Sequence, residues 1–244
     1  MIRIGTSGYN YTEWKGRFYP ADLPAARMLE FYAGRVRTVE INYTFYRMPS
    51  EKTLAGWASR TPDDFVLTLK APRAITHDRR LADTAEVVDV FAGRARTLGE
   101  RLGIVLFQLP PSLRCNLELL DRFLASLPEG LRATMEFRHP SWHDEDVFAR
   151  LRTRNVALCI ADSADRTTPL VATADFGYFR LRDEGYDERA LSDWAERMRD
   201  LGRGWRDTFV YFKHEDEGKG PELAAALETA LGISPRGGAA AATP

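Results

Sequence analysis

Two glutamates and two lysines lie at the predicted ends of β-strands, and they are the side chains best suited to chemistry in this sequence. Glu40 and Glu136 are candidates for general acid–base work, since burial or a neighbouring charge shifts the pKa of a carboxyl group in either direction. Lys70 and Lys213 are predicted to lie beside them. Either lysine can act as a base or as a Schiff-base nucleophile if desolvation lowers its pKa. The alternative is that each lysine only neutralises a glutamate.

Further polar and aromatic side chains follow the same strands and are predicted to bind a substrate. Arginine binds carboxylate or phosphate in a bidentate manner, so Arg138 and Arg180 are predicted to hold an anion, with Arg182 adding positive charge. Structural ion pairs and loop packing are the alternative roles for these residues. The predicted substrate-binding residues are Trp14, Asn42, Tyr46, His77, Gln108, Arg138, His139, Arg180 and His214.

Short β-rich runs alternate with helical patterns along the chain. Strict alternation requires a parallel sheet with right-handed crossovers, and eight units favour an α/β fold of the (β/α)8 TIM-barrel type over an open sheet. The connection from Asp162 to Phe176 contains Pro169 and has a weak pattern, so the sixth helix is predicted to be short or missing. The predicted strands are Ile2–Thr6, Thr38–Asn42, Phe65–Lys70, Ile104–Gln108, Ala133–Phe137, Val156–Ala161, Gly177–Arg182 and Thr208–Lys213.

The polar residues of these strands share one face near the carboxyl end. In the second strand Glu40 and Asn42 lie opposite Val39 and Ile41, because alternate side chains face opposite sides. The apolar face can pack on helices, so the polar face must point into the barrel. Burying charges is costly, and barrel active sites lie at this end. The charged residues are therefore predicted to converge on one cavity.

Residues typical of helix starts and ends occur between the predicted strands. Ser50 and Asn116 are predicted to cap helices, and Asp83 or Thr84 to open a long helix ending at Gly103. Pro221 is predicted to be the first residue of the last helix, which follows Gly218-Lys219-Gly220. Backbone N–H groups at such a helix start, beside the loops after strands seven and eight, are a candidate phosphate site.

Composition and charge narrow the class of protein. The predicted organisation is one domain, residues 1–232, and a flexible tail, residues 233–244. A net charge of −1 makes a nucleic-acid partner unexpected, and no apolar stretch reaches the ~18 residues of a membrane span. The start of the chain lacks a signal-peptide pattern, which predicts a cytoplasmic protein. Cys159 is predicted to be a small buried hydrophobe, and nothing in the sequence indicates an oligomeric state.

No cofactor is predicted, although a divalent metal is an open alternative. Glu40, Glu136, Asp162 and His214 come from four strands and offer carboxylate and imidazole ligands. The chain lacks the spacings H-x-H and H-E-x-x-H, and the interleaved lysines would compete for the carboxylates.

Three long motifs are too specific to be generic. They are Gly5-Thr6-Ser7-Gly8-Tyr9-Asn10-Tyr11-Thr12-Glu13-Trp14-Lys15-Gly16-Arg17-Phe18-Tyr19-Pro20, Glu40-Ile41-Asn42-Tyr43-Thr44-Phe45-Tyr46-Arg47 and Glu136-Phe137-Arg138-His139-Pro140-Ser141-Trp142. With Lys70, Thr76-His77 and Gln108-Leu109-Pro110-Pro111, they resemble the YecE-like family of unknown function, over residues 2 to about 232. The resemblance implies a TIM-barrel-like fold.

This chain departs from many members of that family after strands seven and eight. In those members the two segments look like Arg-x-His-Gly and Phe-Asn-Asn. This chain instead has Arg180-Leu181-Arg182-Asp183 and Phe212-Lys213-His214-Glu215-Asp216. The departure resembles a distinct branch. The leading hypothesis is an enzyme acting on a small anionic metabolite, phosphorylated or sugar-like. The alternatives are a metal-dependent phosphodiesterase or nuclease, by analogy of fold, and a ligand-binding protein without catalysis.

Overall fold

Eight parallel strands close into a barrel. The computed structural model describes residues 1–164, 166–214 and 218–236. Neighbours pair in the order β5-β4-β3-β2-β1-β9-β8-β6, and pairing of β5 with β6 closes the ring. The two-residue β7 pairs antiparallel with β6, outside the ring. The strands are β1 (Ile2–Ser7), β2 (Thr38–Ile41), β3 (Val66–Lys70), β4 (Leu102–Gln108), β5 (Ala133–Glu136), β6 (Ala157–Ser163), β7 (Arg166–Thr167), β8 (Phe176–Leu181) and β9 (Asp207–Phe212).

Helices surround this barrel, so the predicted (β/α)8 architecture is confirmed. In the connection from β6 to β8, the described residues form the β6–β7 hairpin and contain no helix, which confirms the prediction for the sixth helix. The helices are α1 (Met28–Ala33), α2 (Tyr43–Tyr46), α3 (Glu51–Ala58), α4 (Ala85–Ala95), α5 (Leu117–Ala125), α6 (Glu145–Thr153), α7 (Glu188–Leu201) and α8 (Lys219–Leu231).

Two predicted helix caps are confirmed, whereas two predicted helix boundaries differ from the structure. Ser50 and Asn116 accept the predicted capping hydrogen bonds from Thr53 N and Leu119 N. The long helix predicted to reach Gly103 instead ends at Ala95 and continues as a 3-10 segment, interrupted at Gly99 by a φ of 58°. Helix α8 begins at Lys219, two residues before Pro221, because proline fits anywhere in the first turn, where N–H groups have no helical acceptor.

The barrel interior and the layer beneath the helices are separate apolar cores. Tyr178 and Tyr211 pack inside the barrel, whereas Phe179 and Val210 on the same strands pack beneath α7 and α8. This alternation confirms which strand faces point inward. Cys159 lies in the interior core with 1% of its surface exposed, as predicted.

The start of the predicted tail lies against the barrel. Ile233 packs on the apolar layer beneath α7 and α8, and Arg236 forms an ion pair with Asp64. The prediction of flexibility for residues 237–244 concerns positions outside the described ranges. Within those ranges, no helix combines the length and the apolar character needed to cross a membrane.

Candidate functional site

A buried ion network occupies the carboxyl end of the barrel interior. The guanidinium of Arg180 bridges two carboxylates, with Nη2 at 2.8 Å from Glu40 Oε1 and Nη1 at 2.5 Å from Glu136 Oε2. Both glutamates are 0% exposed and Arg180 is 2% exposed. Tyr178 donates to Glu40 at 2.6 Å, and Gln108 donates to Glu136 at 2.8 Å. The two predicted carboxylates are therefore brought together, with an arginine between them.

This network keeps both carboxylates ionised. Burial works to raise the pKa of Glu40, but the Arg180 charge and hydrogen bonds from Ser7 and Tyr178 outweigh it and lower the pKa. Burial likewise opposes ionisation of Glu136, yet the guanidinium groups of Arg180, Arg182 and Arg138 hold its pKa well below the usual range. Carboxyl groups with lowered pKa values are poor proton carriers near neutral pH. Both glutamates thus act as fixed negative charges.

A cavity of about 370 Å³ opens above Glu136. Arg138 Nε lies 3.1 Å from Glu136 Oε1, and Arg182 Nη2 lies 3.5 Å from the same oxygen. Arg166 enters from β7 and donates to the backbone carbonyl of Arg138. Arg138 and Arg182 therefore contact the same carboxylate as Arg180, and Arg166 adds a further guanidinium group to the lining of the cavity. The described lining residues are Pro111, Glu136, Phe137, Arg138, Ala161, Ser163, Arg166, Thr168 and Arg182.

Arg182 has unused hydrogen-bonding capacity. Its Nε atom is buried and has no acceptor within the described part of the chain. Burial and the nearby Arg180 and Arg138 lower the pKa of Arg182, although Glu136 works to raise it. A buried donor without a partner is costly, so an anion in the cavity would be stabilised by this wall.

Lys70 ends β3 beside an aromatic ring. Its Nζ atom lies 4.2 Å from the centre of the Phe45 ring, and the side chain is partly exposed. Burial and the charge of Arg180 lower the pKa of Lys70 to about 8, although Glu40 and Glu136 work to raise it. The ring of His77 contacts the same Phe45 ring at 4.9 Å. Burial, together with the charge of Lys70, also lowers the pKa of His77.

The segment after Lys70 has an unusual backbone. Ala74–Asp78 forms a π-helical turn, a rare conformation that is frequent at functional sites. Arg80, Leu81 and Asp83 then adopt positive φ angles of 50°, 70° and 51°. Such strain in residues with side chains persists only where the surroundings enforce it, and it clusters at active sites. It marks the β3 end of the barrel mouth as a candidate reaction centre.

The other predicted site residues differ in burial and in their contacts with the ion network. Asn42 joins the ion network by donating to Ser7 Oγ at 2.9 Å. Trp14 is 0% exposed and packs among loop aromatic residues, so it offers no surface to a ligand. Tyr46 is 76% exposed, and Lys213 is also exposed at the rim. Glu40 and Glu136 are instead contacted by Arg180 and by the uncharged side chains of Ser7, Tyr178 and Gln108.

The other two histidines predicted to bind a substrate make loop contacts. The Nδ1 atom of His139 accepts from the backbone N–H of Ser141 at 3.1 Å and thereby caps a 3-10 turn. The Nε2 atom of His214 lies 2.6 Å from the carbonyl oxygen of Asp183. Glu215 and Asp216, which complete the branch motif, lie outside the described residues.

The residues considered for a metal are occupied by other partners. Arg180 lies between Glu40 and Glu136, and Asp162 accepts from Tyr186 at 2.6 Å. Residues 1–164, 166–214 and 218–236 contain no group of three or more His, Cys, Asp or Glu side chains placed to hold a metal ion.

The start of α8 is closely packed. A side-chain carbon at Gly220 would lie 2.9 Å from the carbonyl oxygen of His214 and 3.1 Å from a methyl group of Thr6, so only glycine allows this approach. An anion site at this helix start stays a prediction.

Sequence reasoning missed several neighbours of the site. Ser7 and Tyr178 are uncharged strand residues that nevertheless hold Glu40. Ser7 lies two residues after Gly5, and Tyr178 lies two residues before Arg180. Strand periodicity could therefore have indicated that both side chains point into the barrel. Arg166 lies in the irregular connection that takes the place of the sixth helix. The sequence there has no periodic pattern from which the direction of its side chain could be predicted.

The comparisons with known proteins agree with the motifs. Residues 3–244 match the family described as "Protein of unknown function DUF72". The UPF0759 protein YecE of Escherichia coli (strain K12) is 31% identical over 169 residues, which are 67% of this chain. The chain spans only 60% of the length of that relative.

Two solved structures share the fold. A DUF72 family protein (EF0366) from Enterococcus faecalis V583 has a TM-score of 0.81 at 18% identity, covering 96% of both chains. A DUF72 family protein (TM1631) from Thermotoga maritima MSB8 has a TM-score of 0.75 at 28% identity, covering 93% of this chain and 97% of the other. The resemblance inferred from the motifs is thereby confirmed.

Proposed function

The chain belongs to the DUF72 family, whose name assigns no activity, and from the site geometry we propose an enzyme that binds a small anionic metabolite in the arginine-lined cavity. The observation that carries this proposal is the charge of the cavity wall. Arg138, Arg166 and Arg182 line a space in which Glu136 is the one carboxylate among the described lining residues, and Glu136 is also paired with Arg180. The described lining therefore has an excess of positive charge that a phosphate or carboxylate group would balance.

The size of the cavity favours a small molecule. Its volume of about 370 Å³ lies at the lower end of the roughly 300–1,000 Å³ typical of small-molecule pockets. It opens at the carboxyl end of the strands, where barrel enzymes hold their substrates. A phosphorylated or sugar-like metabolite is compatible with this volume and charge.

The reactive group of the site is assigned to Lys70 rather than to the glutamates. With a pKa of about 8, Lys70 exists in both protonation states near neutral pH. Glu40 and Glu136 instead hold Arg180 and set the electrostatic potential of the mouth. Arg180 accordingly positions the carboxylates.

Calorimetric titration with inorganic phosphate at constant ionic strength tests the anion site. We expect a Kd of about 1 mM or tighter, which corresponds to about −4 kcal/mol of binding free energy. Arg166→Gln should weaken binding about tenfold, because a hydrogen bond to a charged group contributes about 1.5–3 kcal/mol. The exposed Arg122→Gln, on α5, is the matched control and should bind phosphate normally. No phosphate binding, or equal binding by all three proteins, would overturn the proposal.

A further inference from the structure

We propose that Lys70 forms a Schiff base with the carbonyl carbon of an anionic aldehyde or ketone, an inference that rests on the anion site proposed above. It names the substrate class as a carbonyl compound that carries a phosphate or carboxylate group.

The backbone around Lys70 is fixed on both sides. Its carbonyl oxygen accepts from Thr44 Oγ1 at 2.6 Å, and the N–H of Ala71 donates to Leu106 O at 2.8 Å. The side chain therefore leaves a rigid strand end into the barrel mouth. A covalent step requires an amine held at a reproducible position, and this anchoring provides it.

The Lys70 amine has no carboxylate partner among the residues that the structure describes. Arg180 takes up both Glu40 and Glu136, and the Nζ atom of Lys70 lies 4.2 Å from the centre of the Phe45 ring. An aromatic ring stabilises an ammonium ion far less than an ion pair in the same place. The neutral, nucleophilic amine is therefore accessible, in accord with the pKa of about 8.

An acid–base group and an anion site flank this amine. His77 contacts the same Phe45 ring as Lys70, and its lowered pKa leaves it neutral and able to accept a proton at pH 7. Arg138 extends from the end of β5, and β4 lies between β5 and β3. These outer two strands are about 10 Å apart at the usual strand spacing. The carbonyl carbon and the anionic group of the substrate are therefore separated by several bonds.

The chemistry balances without an oxidant or a cofactor. The lone pair of Lys70 Nζ attacks the carbonyl carbon, and a proton moves from nitrogen to oxygen to give a carbinolamine. The C–O bond then breaks, oxygen leaves as water after taking a second proton, and a C=N bond remains. We assign the relay of these protons to His77, whose ring contacts the same Phe45 ring as Lys70. A guanidinium group cannot take this role, and the chain carries only five lysines against 29 arginines.

Reductive trapping tests the proposal. The protein is incubated with erythrose 4-phosphate, or with unphosphorylated erythrose, and with cyanoborohydride, and the modified lysines are mapped by mass spectrometry. Lys15, Lys52, Lys213 and Lys219 are internal controls. At pH 7.5 about a quarter of the Lys70 amines should be neutral, against about one in a thousand for a lysine of ordinary pKa, about 10.4. We expect Lys70 to be labelled at least about tenfold faster than the controls.

Four further readouts sharpen this test. The labelling rate at Lys70 should rise with pH through about 8, because only the neutral amine reacts. Inorganic phosphate should compete with erythrose 4-phosphate, and Arg166→Gln should slow labelling by the phosphorylated aldehyde only. Lys70→Arg should remove this label while the four control lysines react as before. Equal labelling of all five lysines, or an unmodified Lys70, would overturn the inference.

The outcomes separate this inference from the proposed function. If phosphate binds but Lys70 is not labelled preferentially, the anion site stands and the Schiff base fails. If Lys70 is labelled equally fast by both aldehydes and phosphate does not bind, the proposed anion site fails, and with it the anionic substrate class.

Discussion

Replacing Arg180 by leucine is expected to lower the free energy of unfolding by about 3–5 kcal/mol, because two buried carboxylates lose their shared cation. Glu40 and Glu136 would then repel each other in the barrel interior, where neither is exposed to solvent. Chemical denaturation followed by circular dichroism measures the loss.

The stability difference between Arg180→Leu and the wild-type protein is expected to depend on pH. In the wild-type protein the pKa of Glu136 is lowered, so its contribution to stability is present above about pH 4.3, the unfolded value, and is lost in more acidic solution. In Arg180→Leu the pKa values of both glutamates should rise, so the deficit relative to wild type should shrink as the pH falls. The triple variant Glu40→Gln, Arg180→Met, Glu136→Gln should regain part of the stability, since the three fully buried charges are removed together. A loss below about 1 kcal/mol in Arg180→Leu would contradict this interpretation.

The double variant Arg138→Gln, Arg182→Gln is expected to weaken phosphate binding by about a hundredfold or more. Each arginine offers charge-assisted hydrogen bonds of about 1.5–3 kcal/mol, and tenfold corresponds to about 1.4 kcal/mol. Glu136 would keep its negative charge, because Arg180 and Gln108 still contact it, and would repel the anion.

A matched pair of variants separates charge from geometry in that experiment. Arg138→Lys, Arg182→Lys keeps both charges but loses bidentate binding, so its affinity should fall between those of the wild type and the glutamine variant. Calorimetry measures the affinities, and thermal unfolding checks that each variant is folded. Unchanged affinity in the glutamine variant would show that phosphate binds elsewhere.

The fold was predictable because the signals that define it are local. The alternation of strands and helices, the caps at Ser50 and Asn116, and the weak segment before Phe176 each depend on short stretches of sequence. Two helix boundaries were less predictable. The kink at Gly99 and the early start of α8 depend on how the chain packs against β4 and β1.

The partners within the site were less predictable than its location. Strand periodicity indicates that Glu40, Glu136 and Arg180 point inward, but it does not say which cation reaches both carboxylates. Arg180 does so because its long side chain crosses the interior, whereas Lys70 turns to Phe45. Trp14 was predicted near the substrate from its motif, yet burial among loop aromatic rings depends on tertiary packing.

The most direct test of the anion site is to locate a bound anion by anomalous diffraction from a crystal soaked in selenate. The prediction is a selenium peak in the cavity, with selenate oxygens within hydrogen-bonding distance of Arg138, Arg166 and Arg182. A peak at the start of α8, near Gly218 and Gly220, with no peak in the cavity, would contradict it.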